Sequence, residues 1–209
     1  GTIQQKESIM GQRPMKIVNG QPHDDYFVQK MVVEDARHLS RLELFIPLAR
    51  AKTVLHVGNV DWPITDPTNS LHLQLAQVAS RIDGVDPNQD GAEAVQVANG
   101  DQFQDWEHLR GRSYDLIIVP EVVEHVDSFR ELFADLDSIT GPLIITAPCA
   151  WACQSFFEKR GELWIEVVHP DHNCWFTPYT LKNMVEKHGR RRVSSLHWIN
   201  RMSIAAIAS

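Results

Sequence analysis

The sequence predicts an α/β protein built on a doubly wound, mostly parallel sheet of seven strands that ends in a C-terminal antiparallel hairpin. Two observations carry this expectation. From Lys52 to Thr146 short apolar runs alternate with helical stretches, the rhythm of a parallel sheet covered by helices on both faces. The last two β-rich runs, Val193 to Ile199 and Met202 to Ala208, are joined only by Asn200-Arg201, a link too short for a parallel crossover.

The elements follow in order. Residues 1–23 are polar and read as a flexible tail, leaving 24–209 as one domain. Asp24 to Arg50 reads as helix, because Met31, Val32, Leu39, Leu42, Phe45 and Ile46 recur at three- and four-residue steps, with Pro47 disturbing its end. Thr53 to Val57 is a strand stopping at Gly58, and Ser70 to Ala79 a helix with Asn69 or Ser70 as N-cap. Ile82 to Val85 is a strand ending at Asp86-Pro87; a short helix over Gln89 to Ala94 then precedes a strand at Val95 to Val97. Leu116 to Val119 form the clearest buried strand. Asp127 to Ile139 is helical, and Leu143 to Thr146 is a strand launched by Gly141-Pro142. Residues 151–176 are aromatic-rich and irregular, an insertion beside the sheet. Thr177 then caps a helix opened by Pro178 and ended by Gly189.

Composition narrows the function classes. The 209 residues carry a formal net charge of -7, which argues against a sequence-independent nucleic-acid surface. Arg190-Arg191-Arg192 is the only basic cluster and reads as a solvated strand entrance. Uninterrupted apolar runs are far shorter than the roughly 20 residues of a membrane span. The start of the chain lacks an apolar leader. Three cysteines, Cys149, Cys153 and Cys174, make no disulfide framework and suit a reducing, cytoplasmic compartment.

In an open α/β sheet, ligands bind beyond the carboxyl ends of the strands, where strand order reverses. Gly58 follows the first parallel strand, where a missing Cβ admits a ligand. Asp86 ends the second and can accept hydrogen bonds from ribose hydroxyls. Gly100-Asp101 follows the expected third strand, Asp101 being placed to accept from an exocyclic amine. Glu121 follows the fourth, at the mouth of the crevice. Separated acids suit a neutral or cationic nucleoside and repel a pyrophosphate, which disfavours a dinucleotide. A turn residue at Gly58 or Asp86, and a helix start at Glu124-His125, are the structural alternatives.

The ordered set Val54-Leu55-His56-Val57-Gly58, Gly84-Val85-Asp86, Gly100-Asp101, Tyr114-Asp115-Leu116-Ile117 and Glu121-Val122-Val123-Glu124-His125-Val126 resembles the class I S-adenosylmethionine-dependent methyltransferases, which share a Rossmann-like fold. More narrowly it resembles a bacterial subgroup of small-molecule methyltransferases with a relaxed first motif; His169-Pro170-Asp171-His172, Trp175-Phe176-Thr177, Thr180-Leu181 and Gly189 also fit. The resemblance spans roughly Lys52 to Gly189. It implies S-adenosyl-L-methionine as cofactor, with Val57, Gly58 and Asn59 facing its methionine part. It further implies Asp86 on the ribose hydroxyls, Asp101 on the adenine amine and Glu121 at the pocket floor near the transferable methyl. The sequence departs from that pattern at His56, where the family has an acid, and at Val60, where it has a second glycine.

Methyl transfer from a sulfonium asks mainly for alignment and exclusion of water, and for a base only where the acceptor arrives protonated. The aromatic insertion, with Trp151, Phe156, Phe157, Trp164, Trp175 and Phe176, is the expected acceptor wall, and His169 and His172 are the expected catalytic bases. Core or lid packing is the competing role for these aromatics. Cys149, Cys153, Cys174, His169 and His172 offer five metal-type donors, but Cys149-x3-Cys153 is not a Cys-x2-Cys knuckle, and no metal is expected. The expected partner is a small-molecule acceptor, a sugar or a secondary metabolite, with no nucleic acid and no membrane; a homodimer is compatible with the sequence. The rival reading is a non-catalytic binding or scaffold subunit of the same fold, motivated by His56 and Val60. A nucleotide-binding oxidoreductase is weaker still, for want of a Gly-x-Gly-x-x-Gly turn.

Overall fold

The computed structural model describes residues 15–24, 27–61 and 66–209, and the chain divides into two compact units, residues 1–31 and 32–209. In the first unit β1 (Met15–Val18) and β2 (Gln21–Asp24) pair as an antiparallel hairpin. Asn19 and Gly20 turn it, both at positive φ (49° and 76°), as a two-residue turn between right-twisted strands requires. The second half of the expected tail is therefore paired backbone; residues 1–14 lie outside the described residues.

The second unit opens differently from the long helix expected over Asp24 to Arg50. Glu34–Ala36 is a short strand, β3, and the helix α1 covers only Arg41–Ala49. Its start is set by Ser40: the Ser40 side chain accepts from the Glu43 N–H at 3.2 Å, and the Glu43 carboxylate accepts from the Ser40 N–H at 2.8 Å. This reciprocal box satisfies two N–H groups that a helix otherwise leaves open.

The remaining elements are β4 (Thr53–Val57), α2 (Leu71–Ala76), β5 (Arg81–Val85), β6 (Gln102–Phe103), β7 (Leu116–Pro120), α3 (Phe129–Leu136), β8 (Leu143–Pro148), β9 (Phe157–Arg160), β10 (Leu163–Glu166), α4 (Pro178–His188), β11 (Val193–Ile199) and β12 (Ser203–Ala208). Eight strands form the main sheet in the order β3-β11-β12-β8-β7-β4-β5-β6. Only β12 runs against its neighbours β8 and β11; β4, β5, β6, β7 and β8 pair in parallel, as do β3 and β11. The doubly wound, mostly parallel sheet with its C-terminal hairpin is thus present, with β3 as an eighth strand. Asn200 and Arg201 turn that hairpin, both at positive φ (44° and 65°). Among the described residues no helix is long and apolar enough to cross a membrane.

Two stretches depart from the sequence pattern. Val95 to Val97 is not a strand, since Ala92–Val95 is a 3-10 turn and the third parallel strand lies later, at Gln102–Phe103. The aromatic insertion is not wholly irregular, because β9 and β10 pair as their own antiparallel hairpin.

Alternation along the strands fills both faces. Val54, Ile82, Leu116, Ile118 and Ile144 pack with Phe45 and Ala49 of α1 and Leu71 and Leu75 of α2. On α3 and α4, Phe133, Leu136, Leu181 and Val185 are buried as well. Each such side chain, fully withdrawn from water, contributes about 1.5–3 kcal/mol. In the middle of β5 Asp83, 1% exposed, accepts from Tyr114 Oη at 2.8 Å, from Asp101 N–H at 3.0 Å and from Arg112 at 3.3 Å.

His56 of β4 and His72 of α2 are buried side by side, their Nδ1 atoms 3.3 Å apart. Burial holds His56 well below the usual imidazole range and lowers His72 to about 4. The unfolded chain therefore takes up protons below pH 6.5 that the folded chain refuses until about pH 4, so stability is lost as pH falls through that window. For His72 alone the loss by pH 4.5 amounts to about 2–3 kcal/mol. Urea unfolding at pH 7.5 and 4.5 should show a smaller acid loss in His72→Leu than in the unaltered protein; equal losses would contradict the assignment.

Candidate functional site

Strand order reverses at β4, which has β5 on one side and β7 on the other. Beyond the carboxyl ends of β4, β5 and β7 opens a cavity of about 790 Å³, within the range of small-molecule and cofactor sites. Val57, Gly58, Asp86 and Glu121 line it, so four of the residues expected to hold a cofactor meet in one hollow.

Each is there for a local reason. Gly58 ends β4 at φ 69°, and a Cβ built on it would stand 2.4 Å from Val122 Cγ2. The left-handed backbone and the close approach of the next loop both demand glycine. Glu121, directly after β7, also holds a left-handed conformation, φ 53°, which costs a non-glycine residue about 1–2 kcal/mol. Thr146 of β8 keeps it there: the Glu121 N–H donates to the Thr146 carbonyl at 3.0 Å, and the Thr146 hydroxyl donates to Glu121 Oε1 at 2.9 Å. Asp86 accepts from the Val60 N–H at 3.0 Å on one oxygen and from the Asn88 N–H at 2.8 Å on the other. Each oxygen keeps a further lone pair, enough for two ribose hydroxyls. The Val60–Asp86 bond also shows how the loop is anchored without a second glycine; residues 62–65 lie outside the described residues.

Asn59 and Asp101 sit elsewhere. The Asn59 amide is buried and exchanges hydrogen bonds with Gln102, 2.7 Å and 3.1 Å, tying the loop to β6 instead of facing the cavity. Asp101 does not line the cavity; it is 62% exposed and bonded to Arg81 at 2.5 Å. Because the third parallel strand is Gln102–Phe103, Asp101 precedes that strand and does not follow it. Gly100 is a glycine because a Cβ would stand 1.6 Å from the Ile82 carbonyl oxygen, a packing constraint unrelated to a ligand. The acid that lines the cavity beyond the carboxyl end of β6 is Asp105, next to Trp106; reading the strand at Gln102-Phe103 would have found it.

The electrostatics are one-sided. Asp61, Asp86, Asp105, Glu121, Asp127, Glu131 and Asp171 line the cavity, and among the described residues no lysine or arginine does. Desolvation raises Asp86, with the neighbouring Asp61 charge adding to it. Desolvation likewise raises Glu121. Behind it Glu124, 1% exposed and with neither carboxylate oxygen hydrogen-bonded, is pushed up to about 8 by burial and by the Glu121 charge. Glu124 is therefore no helix start; α3 begins later, capped by the Ser128 side chain on the Glu131 N–H. A cavity so lined favours a cation and resists an anion. The side chains present thus fit an adenosyl sulfonium: carboxylate acceptors for ribose and an amine, a glycine wall, and negative charge around the sulfur.

His169 and His172 are brought together, and with them His125, which the sequence reading left without a role. Ring centroids lie 4.5 Å (His125–His172), 5.6 Å (His125–His169) and 5.6 Å (His169–His172) apart. His125 lines the cavity. Desolvation lowers both His125 and His172, leaving free ring lone pairs near neutral pH. The signal for His125 was its position four residues past Glu121, at the same strand end.

The aromatic insertion does not form one wall. Phe176 is buried against Phe129, Phe156 and Phe157 pack on Trp175, and Trp164 and Trp151 are 74% and 52% exposed. Cys149 and Cys153 are free and buried. The convergent donor group among the described residues contains no cysteine.

The Gly58 geometry predicts that Gly58→Ala lowers the thermal midpoint by several degrees, from a left-handed alanine costing about 1–2 kcal/mol plus the collision with Val122. Adding Val122→Ala should recover the steric part; no recovery would mean that the backbone conformation alone matters.

A family model for a methyltransferase domain matches residues 65–195. No curated protein sequence matches the chain significantly. Among solved structures, the fold is similar to a SAM dependent methyltransferase from Aquifex aeolicus (TM-score 0.59, 13% identity, 81% of this chain and 89% of that one). It is similar also to a SAM dependent methyltransferase from Archaeoglobus fulgidus (TM-score 0.58, 18% identity, 80% and 90%), and to a protein from Listeria monocytogenes described as an S-adenosylmethionine dependent methyltransferase (TM-score 0.55, 12% identity, 80% and 93%). The family match covers more than half of the residues and includes the cavity acids Asp86, Asp105 and Glu121, so the chain belongs to the methyltransferase domain family.

Proposed function

We propose that this protein transfers a methyl group from S-adenosyl-L-methionine to an oxygen or nitrogen of a small molecule, a sugar or a secondary metabolite. The observation that supports it best is the acid-lined cavity at the strand-order reversal, walled by Gly58, Asp86 and Glu121. Bound S-adenosyl-L-methionine supplies an electrophilic methyl on a cationic sulfur. In this reading Asp86 takes the ribose hydroxyls on its spare lone pairs, and Gly58 lets the methionine part lie against the backbone. Asp105, in place of Asp101, accepts from the adenine amine. Glu121 faces the sulfonium from the strained turn after β7. Displacement at a methyl needs alignment and a dry site, worth up to about 7–11 kcal/mol from proximity.

The imidazoles of His125, His169 and His172 stand at the acceptor side and suit proton removal from a hydroxyl or ammonium as the methyl arrives. A non-catalytic role would call for a loop filling the cofactor space; Val60 and Asp61 instead form part of an open wall. The free cysteines suit a reducing, cytoplasmic setting.

Titration calorimetry with S-adenosylhomocysteine tests this reading. Binding in the micromolar range is expected, weakened by about 1–3 kcal/mol in Asp86→Ala and unchanged in Asp101→Ala. No heat from the folded protein, or equal affinity in Asp86→Ala, would contradict it.

A further inference from the structure

Three imidazoles from two distant stretches of chain converge at the edge of the cavity. His125 comes from the loop after β7, while His169 and His172 come from the segment between β10 and α4. One ring nitrogen from each lies within 4.8 Å of the other two. Within the cluster the Nδ1 of His172 is buried without a hydrogen-bond partner.

The backbone holds the two stretches in this register. The Asn173 N–H donates to the Glu124 carbonyl at 2.7 Å, and the Asn173 amide donates to the carbonyls of His125 and Val126 at 3.1 and 3.2 Å. His169 Nδ1 has the Asp171 N–H at 3.2 Å and the Asp171 carboxylate at 3.7 Å.

We infer that His125, His169 and His172 bind one divalent transition-metal ion of the zinc class. Tetrahedral coordination at about 2.0–2.1 Å places ligand nitrogens roughly 3.3 Å apart, so modest rotation of the exposed His169 ring closes the set. Three nitrogen donors select zinc, cobalt or nickel over magnesium and calcium, which take oxygen. Three protein ligands leave a fourth position open, and since His125 lines the cavity that position faces it. There the ion would take an acceptor oxygen and ease release of its proton to water, replacing direct proton removal by the imidazoles whose lone pairs it occupies; this consequence rests on the methyltransferase reading and makes the acceptor a hydroxyl compound. The ion site itself does not depend on that reading.

The test uses the full chain, stripped with chelator and titrated with Co²⁺ and Zn²⁺, with Mg²⁺ for comparison. One Co²⁺ per chain with a visible tetrahedral spectrum, displaced by Zn²⁺ and not by Mg²⁺, is expected. His125→Ala, His169→Ala and His172→Gln should each weaken Co²⁺ binding at least tenfold, and Cys174→Ser should leave it unchanged. No Co²⁺ binding, binding unaffected by the histidine variants, or a spectrum lost in Cys174→Ser would overturn the proposal. In His169→Ala and His172→Gln, S-adenosylhomocysteine affinity and thermal midpoint should stay within threefold and a few degrees. A variant that loses metal but keeps nucleoside binding separates failure of the ion site from failure of the methyltransferase reading, and misfolding is read from the midpoint.

Discussion

The reversal of strand order at β4 is the constraint on which the rest of the molecule depends. With β5 on one side of β4 and β7 on the other, the loops leaving these strands diverge and a hollow opens between them. The chain accepts local cost to keep that hollow clear: Gly58 and Glu121 both sit in left-handed backbone, free for the glycine but strained for Glu121, and the Gly58 N–H bond to the Val85 carbonyl and the bonds of Glu121 to Thr146 hold those turns. Strain of this kind is tolerated where surrounding structure over-determines it, as at ligand sites.

Charge follows from the same geometry. Strand-end loops deliver acids to one place, and burial then raises Asp86, Glu121 and Glu124 instead of pairing them with cations. Unpaired carboxylates destabilise the folded chain as pH rises, so their arrangement is best understood as preparation for a positively charged ligand. The buried histidines His56 and His72 work in the opposite direction, toward acid sensitivity, and do not line the cavity.

Much of the fold was legible because it rests on local signals. Apolar runs gave β4, β5, β7 and β8, Thr177-Pro178 gave the start of α4, and Asn200-Arg201 gave the final hairpin. The misses are places where tertiary pairing overrides local pattern. Glu34–Ala36 has helical neighbours in sequence but becomes a strand because β11 offers a free edge. Gln102–Phe103 is too short to carry a periodic signal, and mistaking Val95 to Val97 for it displaced one acid from Asp105 to Asp101. His125 could be placed at a strand end, but its meeting with His169 and His172 depends on the Asn173 bridge, which no spacing reveals.

The central claim, that strand-end acids around the β4 reversal cradle an adenosine bearing a cationic sulfur, is tested most directly by a crystal structure with S-adenosylhomocysteine. The account predicts ribose hydroxyls on the Asp86 carboxylate and the adenine beside Asp105 and Trp106. Density for the nucleoside at the Arg81–Asp101 end of the sheet, or a cavity closed by the Asn59-Val60-Asp61 loop in its presence, would contradict it.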